Sequence, residues 1–224
     1  MRTVRLAILG LALAAPAQMA QSQAVSAPSA VVVVNFTNPA LSPSNWTLTL
    51  HRDGSAYFRS AHGDVPPGGL QQMDAPDVDR TVQLSAPFVA RVFQTAQRHH
   101  WFNENCESHL KVAFQGWKKL SYTGPEGQGT CTFNYSQDKE IQALGDSLVG
   151  VAETLREGAR LELLLQHDRL GLDKEMEYIA DAAKEGRMNQ ICAIRQILER
   201  LAADDEVMDR VRKRARNLLA QAGT

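Results

Sequence analysis

His99, His100, Cys106 and His109 fall within eleven residues, the densest set of side chains in the chain that could do chemistry. Imidazole and thiolate are zinc ligands, and a cysteine beside a histidine can act as nucleophile and base. The spacing fits neither role well. Zinc sites favour pairs such as Cys-x-x-Cys that let ligands converge, and two adjacent histidines do not ordinarily reach one ion. Trp101 and Phe102, lying between them, read as core anchors. No activating helix N-terminus or orienting acid accompanies Cys106 and His109 in a recognisable context. Nor does the chain carry a Gly-x-Ser-x-Gly, phosphate-loop or His-Glu-x-x-His pattern. The residues therefore assign no catalytic group, no metal ligand and no cofactor. The enzymatic alternative is a small hydrolase or metal-dependent module built on His99, His100 and His109.

A second set is electrostatic. Arg210, Arg212, Lys213, Arg214 and Arg216 make the last predicted helix basic, and Asp204, Asp205, Glu206 and Asp209 precede them. Acid at the start and base at the end is what a helix dipole favours, so a solvated helix accounts for the pattern. The functional alternative is docking on an acidic partner or an anionic surface. Trp117, expected at a partly exposed hairpin tip, is the remaining candidate contact.

The elements that would position these groups follow from periodicity. Over residues 106–135 the spacing predicts a three-stranded antiparallel meander. Leu110, Val112 and Phe114 form one inward-facing set, Leu120 and Tyr122 a second, and Cys131, Phe133 and Tyr135 a third. A three-residue connection through Trp117 pairs Val112 with Leu120 and Leu110 with Tyr122. A two-residue turn would bury Lys119 instead, because a one-residue slip exchanges the faces. The clearest hairpin spans residues 46–60. With Gly54 in the left-handed position of a three-residue turn, Leu50 faces Ala56 and Leu48 faces Phe58. Residues 31–36 are expected as a loosely docked edge strand, and residues 61–80 as a long loop, a first place to look for a ligand contact.

A helix begins after Ser85, with Pro87 in its first turn and Phe88, Val89, Val92, Phe93 and Ala96 on one stripe. A second, entered at residues 136–138, carries Ile141, Leu144, Leu148, Val151 and Leu155, and Gly158 marks a hinge. Beyond it the reading gives short helices at about 159–169, 173–185, 188–202 and 205–220.

Residues 1–24 are set aside as an export signal: Arg2 and Arg5, an apolar run, then small residues with cleavage after Ala17 or Ala24. The run is shorter than the roughly 20 residues a membrane span needs. The expected plan is an N-terminal arm over 25–45, an α+β domain over 46–157 and a helical tail over 158–224. The fold class is α+β, an antiparallel sheet of about five or six strands covered by two helices, with an all-helical C-terminal appendage. Formal charge is -1 from 24 basic and 25 acidic residues, so no global field recruits nucleic acid. Aromatics at 6% argue against an extended sugar-stacking surface.

An export signal, an Asp-Gly hairpin, a capped helix, then Cys106, a hairpin, Cys131 and another helix resemble small exported bacterial α+β domains with a Cys–hairpin–Cys unit. The resemblance covers roughly residues 46–155 and carries over no activity. It implies a Cys106–Cys131 bridge, which leaves Cys192 as the free thiol. The meander register opposes that bridge: it separates the two residues by about 16 Å, against a Cα limit near ~7 Å. The bridge thus requires residues 103–108 to fold back, or the third strand to lie beside the first. An oxidising compartment and about 3 kcal/mol from closing a loop of about 25 residues favour it. The functional expectation is a non-enzymatic exported binding or scaffold module of the cell envelope. Its protein partner would be engaged through the helical tail, with oligomeric state left open.

Overall fold

Alternating apolar residues build one six-stranded antiparallel sheet. The computed structural model describes residues 29–41, 43–61 and 76–222. The strands are β1 (Val31–Thr37), β2 (Asn45–His51), β3 (Ser55–Ser60), β4 (Val78–Gln83), β5 (Trp117–Gly124) and β6 (Gly127–Phe133), in spatial order β4-β3-β2-β1-β5-β6. Five helices follow the same chain order: α1 (Ala86–Arg98), α2 (Lys139–His167), α3 (Gly171–Lys184), α4 (Arg195–Ala203) and α5 (Asp209–Ala222). The expected export signal, and residues 62–75 of the expected long loop, lie outside the described residues.

The β2–β3 hairpin has the expected register, Leu50 against Ala56 and Leu48 against Phe58, and Gly54 sits at φ +87°. That backbone region is open to glycine at little cost, and it lets a three-residue turn close with the apolar set facing one way. Three other expectations are corrected. The valine run is a central strand and not an edge: β1 pairs with β2 on one side and β5 on the other, with Val32, Val34 and Phe36 buried. Residues 78–83, read as loop, form the edge strand β4 on β3. The meander has two strands where three were expected. Residues 103–116 contain no strand, because β1 already occupies the flank of β5 that Leu110, Val112 and Phe114 would have needed. The β5–β6 turn is Pro125-Glu126, and Leu120 stands opposite Cys131, with Gly129 opposite Tyr122.

Helices α1 and α2 cover the inner face. Phe88, Val89, Val92, Phe93 and Ala96 are buried on α1, and Ile141, Leu144, Leu148, Val151 and Leu155 on α2. Asp138 caps α2, accepting hydrogen bonds from the Glu140 and Ile141 backbone N–H groups at 2.8 and 3.0 Å. Ser85 precedes α1 without a side-chain cap bond, and its N–H donates to Gln190 Oε1 at 2.8 Å. With the bidentate Arg80–Glu162 pair, at 3.0 and 2.8 Å, this ties the C-terminal helices to the sheet.

No hinge occurs at Gly158. α2 runs through it, and the helix expected at 159–169 is the last part of α2. The glycine serves a close approach: a Cβ there would stand 2.3 Å from Ile194 Cγ2. Gly150 plays the same part against Asn189 and the Arg187 carbonyl. This gives a test. At a flexible or exposed helical glycine, alanine gains about 1 kcal/mol. Here overpacking dominates, so Gly158→Ala is expected to lower the stability measured by denaturant melting by about 1–3 kcal/mol.

Candidate functional site

The residues from Asn103 to Gly116 return to the end of β6 and are pinned there. Cys106 and Cys131 sit at disulfide distance, Cα atoms 5.6 Å apart. The fold-back of 103–108 that the bridge required is what occurs, and such a bond is compatible with an oxidising environment. Asn134 completes the attachment with all four of its hydrogen-bonding groups. Its N–H donates to Glu107 Oε2 at 2.6 Å, and its Oδ1 accepts from the Gln115 N–H at 2.7 Å. Its Nδ2 donates to the Ala113 carbonyl at 3.3 Å, and its own carbonyl accepts from Lys118 Nζ at 2.9 Å. The Ser108 N–H adds a bond to the Tyr135 carbonyl at 3.0 Å.

Between these attachments the chain displays apolar side chains to solvent. Leu110, Val112, Phe114 and Trp117 are 52%, 42%, 49% and 44% exposed, and the Phe114 and Trp117 rings meet edge to face at 6.0 Å. Trp117 thus lies at the start of β5 beside this ridge, not at a hairpin tip. Lys111 and Lys119 are exposed beside them, and residues 108–125 contain no carboxylate. Glu107, just before, spends its carboxylate on the Asn134 and His109 N–H groups and the Ser108 hydroxyl. Although partial burial opposes it, these bonds hold its pKa below the ordinary value.

The histidines do not converge with Cys106, which is bridged and available neither as ligand nor as nucleophile. His99 is held among acids, Nδ1 2.8 Å from Glu104 and Nε2 3.4 Å from Glu140, while His100 is exposed. His100, Trp101 and Phe102 all take left-handed backbone angles, φ 50°, 60° and 64°. Each costs about 1–2 kcal/mol, offset by burial of Phe102 and stacking of Trp101 on Tyr122 at 4.5 Å. This strained turn packs the end of α1 onto the hairpin. Among the described residues, no group of three or more His, Cys, Asp or Glu side chains is placed to hold a metal ion.

The arginines of the last helix are engaged in ion pairs, although Arg210 and Arg216 remain exposed. Arg210 and Arg214 both reach Asp173 of α3 at 2.6 Å, and Arg214 also approaches Glu177 at 3.5 Å. Arg212 and Arg216 approach Asp209 at 3.2 and 3.9 Å, and Lys213 is exposed. Cys192 is a free, half-buried thiol 3.8 Å from Gln190 Oε1.

The arrangement that sequence reading missed lies between α2 and α3. A cleft of about 500 Å³ is lined by Glu157, Arg160 and Leu164 from α2, Asp168 beyond it, and Lys174, Glu175 and Tyr178 from α3. Glu157 and Glu175 are 6% and 7% exposed. Arg160 Nε stands 3.0 Å from Glu175 Oε2, yet Glu157 Oε2 and Glu175 Oε1 have no hydrogen-bond partner. Burial, the hydrogen bond with Glu175 and the negative charge of Glu175 and Glu153 push the Glu157 carboxyl up to about 8, against the pull of Arg156. The signal was present. Glu157 lies three residues after Thr154 and four before Leu161, and Glu175 three after Leu172 and four before Ile179, so both fall on buried stripes.

No protein-family model matches the chain, and no curated protein matches it in sequence.

Two outcomes follow from this geometry. Reducing the Cys106–Cys131 bond is expected to lower stability by about 3 kcal/mol for a closed loop of 25 residues, and to abolish hydrogen-exchange protection of the Ser108 and Gln115 amides. For Glu157 the folded pKa stands above the ordinary value of 4.5. The folded state then holds a proton that the unfolded state has released, so stability is full below about 4.5 and declines as pH rises towards about 8. Glu157→Gln is expected to remove this decline, so the stability difference between variant and wild type, followed by melting from pH 5 to 8, should grow with pH.

Proposed function

We propose that the protein is an exported, non-enzymatic binding module of the cell envelope that docks on a bilayer surface through the pinned apolar ridge. The observation that carries this reading is the exposure of Leu110, Val112, Phe114 and Trp117 on a segment fixed by a disulfide and by Asn134. Exposed apolar groups on a loose loop would collapse or reorder; held rigid, they bind without a large ordering cost. Four half-exposed side chains offer roughly 400 Å², about half of the ~800 Å² per partner of a standard protein interface. That area suits insertion into a headgroup layer better than a stable protein contact. Transferring half of it is worth about 5 kcal/mol, comparable to the reversible membrane binding of one acyl chain.

Charge supports the same surface. Lys111 and Lys119 flank the apolar groups, and a tryptophan beside lysines is the composition that seats at a membrane interface. Each lysine near an anionic surface contributes about 1 kcal/mol at physiological salt. The ridge is a better contact than the last helix, whose arginines are engaged with Asp173 and Asp209. None of the described helices is long and apolar enough to cross a membrane.

The test is co-sedimentation of the oxidised chain, beginning at Val25, with vesicles of phosphatidylcholine containing phosphatidylglycerol. Binding is expected, weaker on pure phosphatidylcholine, and reduced about tenfold or more by the double substitution Phe114→Ser and Trp117→Ser. Absence of binding, or binding indifferent to those substitutions, overturns the reading.

A further inference from the structure

The cleft between α2 and α3 holds an electrostatic arrangement that the docking ridge does not use. Two carboxyl groups are buried against each other there, and burying like charges together is strongly unfavourable unless a proton or a cation comes between them. Glu157 Oε2 and Glu175 Oε1 both lack a hydrogen-bond partner, and both residues line the cleft. One shared proton relieves the repulsion but supplies a single donor to two carboxyl groups. Arg160 does not complete the set: its Nε lies 3.0 Å from Glu175 Oε2 and is itself without a hydrogen-bond partner.

The charge count points the same way. The cleft is lined by three acids, Glu157, Asp168 and Glu175, and two bases, Arg160 and Lys174. With one proton on the glutamate pair the lining is neutral; without it the lining carries one negative charge. A monocation can therefore exchange for the proton with no change in the charge of the site. Leu164 and Tyr178 add apolar wall, and about 500 Å³ is in the range of small-molecule sites. A metal ion fits less well, because no group of three or more metal-binding side chains converges among the described residues.

We propose that this cleft binds a small organic cation with N–H donors, a primary amine or a guanidinium, which takes the place of the proton between Glu157 and Glu175. The ammonium or guanidinium N–H groups donate to the two unpartnered, buried carboxylate oxygens, and the displaced proton leaves to solvent. The hydrocarbon part lies along Leu164 and the Tyr178 ring. The Tyr178 hydroxyl is already committed to Glu153 Oε1 at 2.9 Å. The charged and titratable groups around Glu157 that set the exchange are Glu153, Arg156 and Arg160 on α2, Lys174, Glu175 and Tyr178 on α3, and Asp168 between the helices. The element that packs on α2 at Gly158 presents Ile194, which carries no charge.

The experiment is calorimetric titration of the full chain with n-butylamine and with butylguanidine. Tetramethylammonium serves as a cation of equal charge without N–H donors. Expected for both N–H cations are a dissociation constant of about 1 mM or tighter and release of close to one proton near pH 6.5, read from two buffers of different ionisation heat. Affinity should rise nearly tenfold per pH unit from about 6 to 8, and tetramethylammonium should bind at least about tenfold more weakly. Glu157→Gln and Glu175→Gln should each cut affinity about tenfold or more with the circular dichroism spectrum unchanged. Proton release and its pH dependence are read on the wild-type chain, so the outcome does not hinge on the variants folding. No heat up to about 50 mM of either N–H cation, pH-independent binding, equal binding of tetramethylammonium, or full affinity in a folded Glu157→Gln variant would each overturn the proposal.

Discussion

Between Lys139 and His167 one helix has to bury two faces in two surroundings, and the rest of the structure depends on its doing so. Its first half lays Ile141, Leu144, Leu148, Val151 and Leu155 under the sheet; its second half offers Leu161, Leu164 and Leu165 to the C-terminal helices. At 1.5 Å per residue it is about 43 Å long, enough to join both packings in one rod. The contacts are close because the helix is notched. Gly145 admits Phe133 and Lys118, Gly150 admits Asn189, and Gly158 admits Ile194. The Thr154 hydroxyl bonds both the Gly150 and the Asn189 carbonyls at 2.9 and 2.7 Å, closing the seam where a side chain would have kept the layers apart. Buried apolar residues from Ala30 to Leu218 form one continuous cluster through it.

Local chemistry was legible and competition between segments was not. The β2–β3 register followed from a glycine that must take positive φ, and both helix starts followed from residues that suit the first turn. The C-terminal helical segments were visible because a period of 3.6 survives whatever the partner. The strand errors share a cause. Leu110, Val112 and Phe114 alternate as a strand does, but alternation does not tell an extended exposed segment from a paired one. The valine run outcompeted them for the flank of β5. β4 went unseen because an edge strand of sequence VDRTVQ buries little and shows little. Keeping Lys119 outward gave the right face, with Leu120 and Tyr122 buried, but Lys118 shares their parity and is buried too, with Nζ on the Asn134 carbonyl and the Phe133 ring 5.3 Å away. At the candidate sites, Trp117 and the bridge could be named in advance. Glu157 and Glu175 were not singled out, although their positions on apolar stripes mark them as buried.

The two proposed surfaces invert the same rule. Along the ridge, apolar groups stay in water because disulfide and Asn134 contacts forbid collapse; in the cleft, carboxyls stay out of water because helix packing leaves them nowhere else. Each departure is held by covalent or hydrogen-bonded structure nearby, and neither would persist on a free segment. They also lie on different elements, the ridge on the segment before β5 and the cleft on α2 and α3, so occupancy of one leaves the other's side chains untouched.

The central position of β1 has a consequence in time. The strand at the start of the described chain is the keystone of the sheet, and its second neighbour, β5, begins only at Trp117. β1 to β4 pair with their neighbours in sequence, but the other flank of β1 stays an open edge until β5 has been synthesised. Pairing across so long a separation has to overcome loop entropy before it returns any contact energy, which makes such sheets slow to form. At ribosomal speeds of about 5–20 residues per second, that flank stays unpaired for seconds. For that interval a strand that ends up buried is an exposed edge on which another chain could pair, and β5 is what closes it.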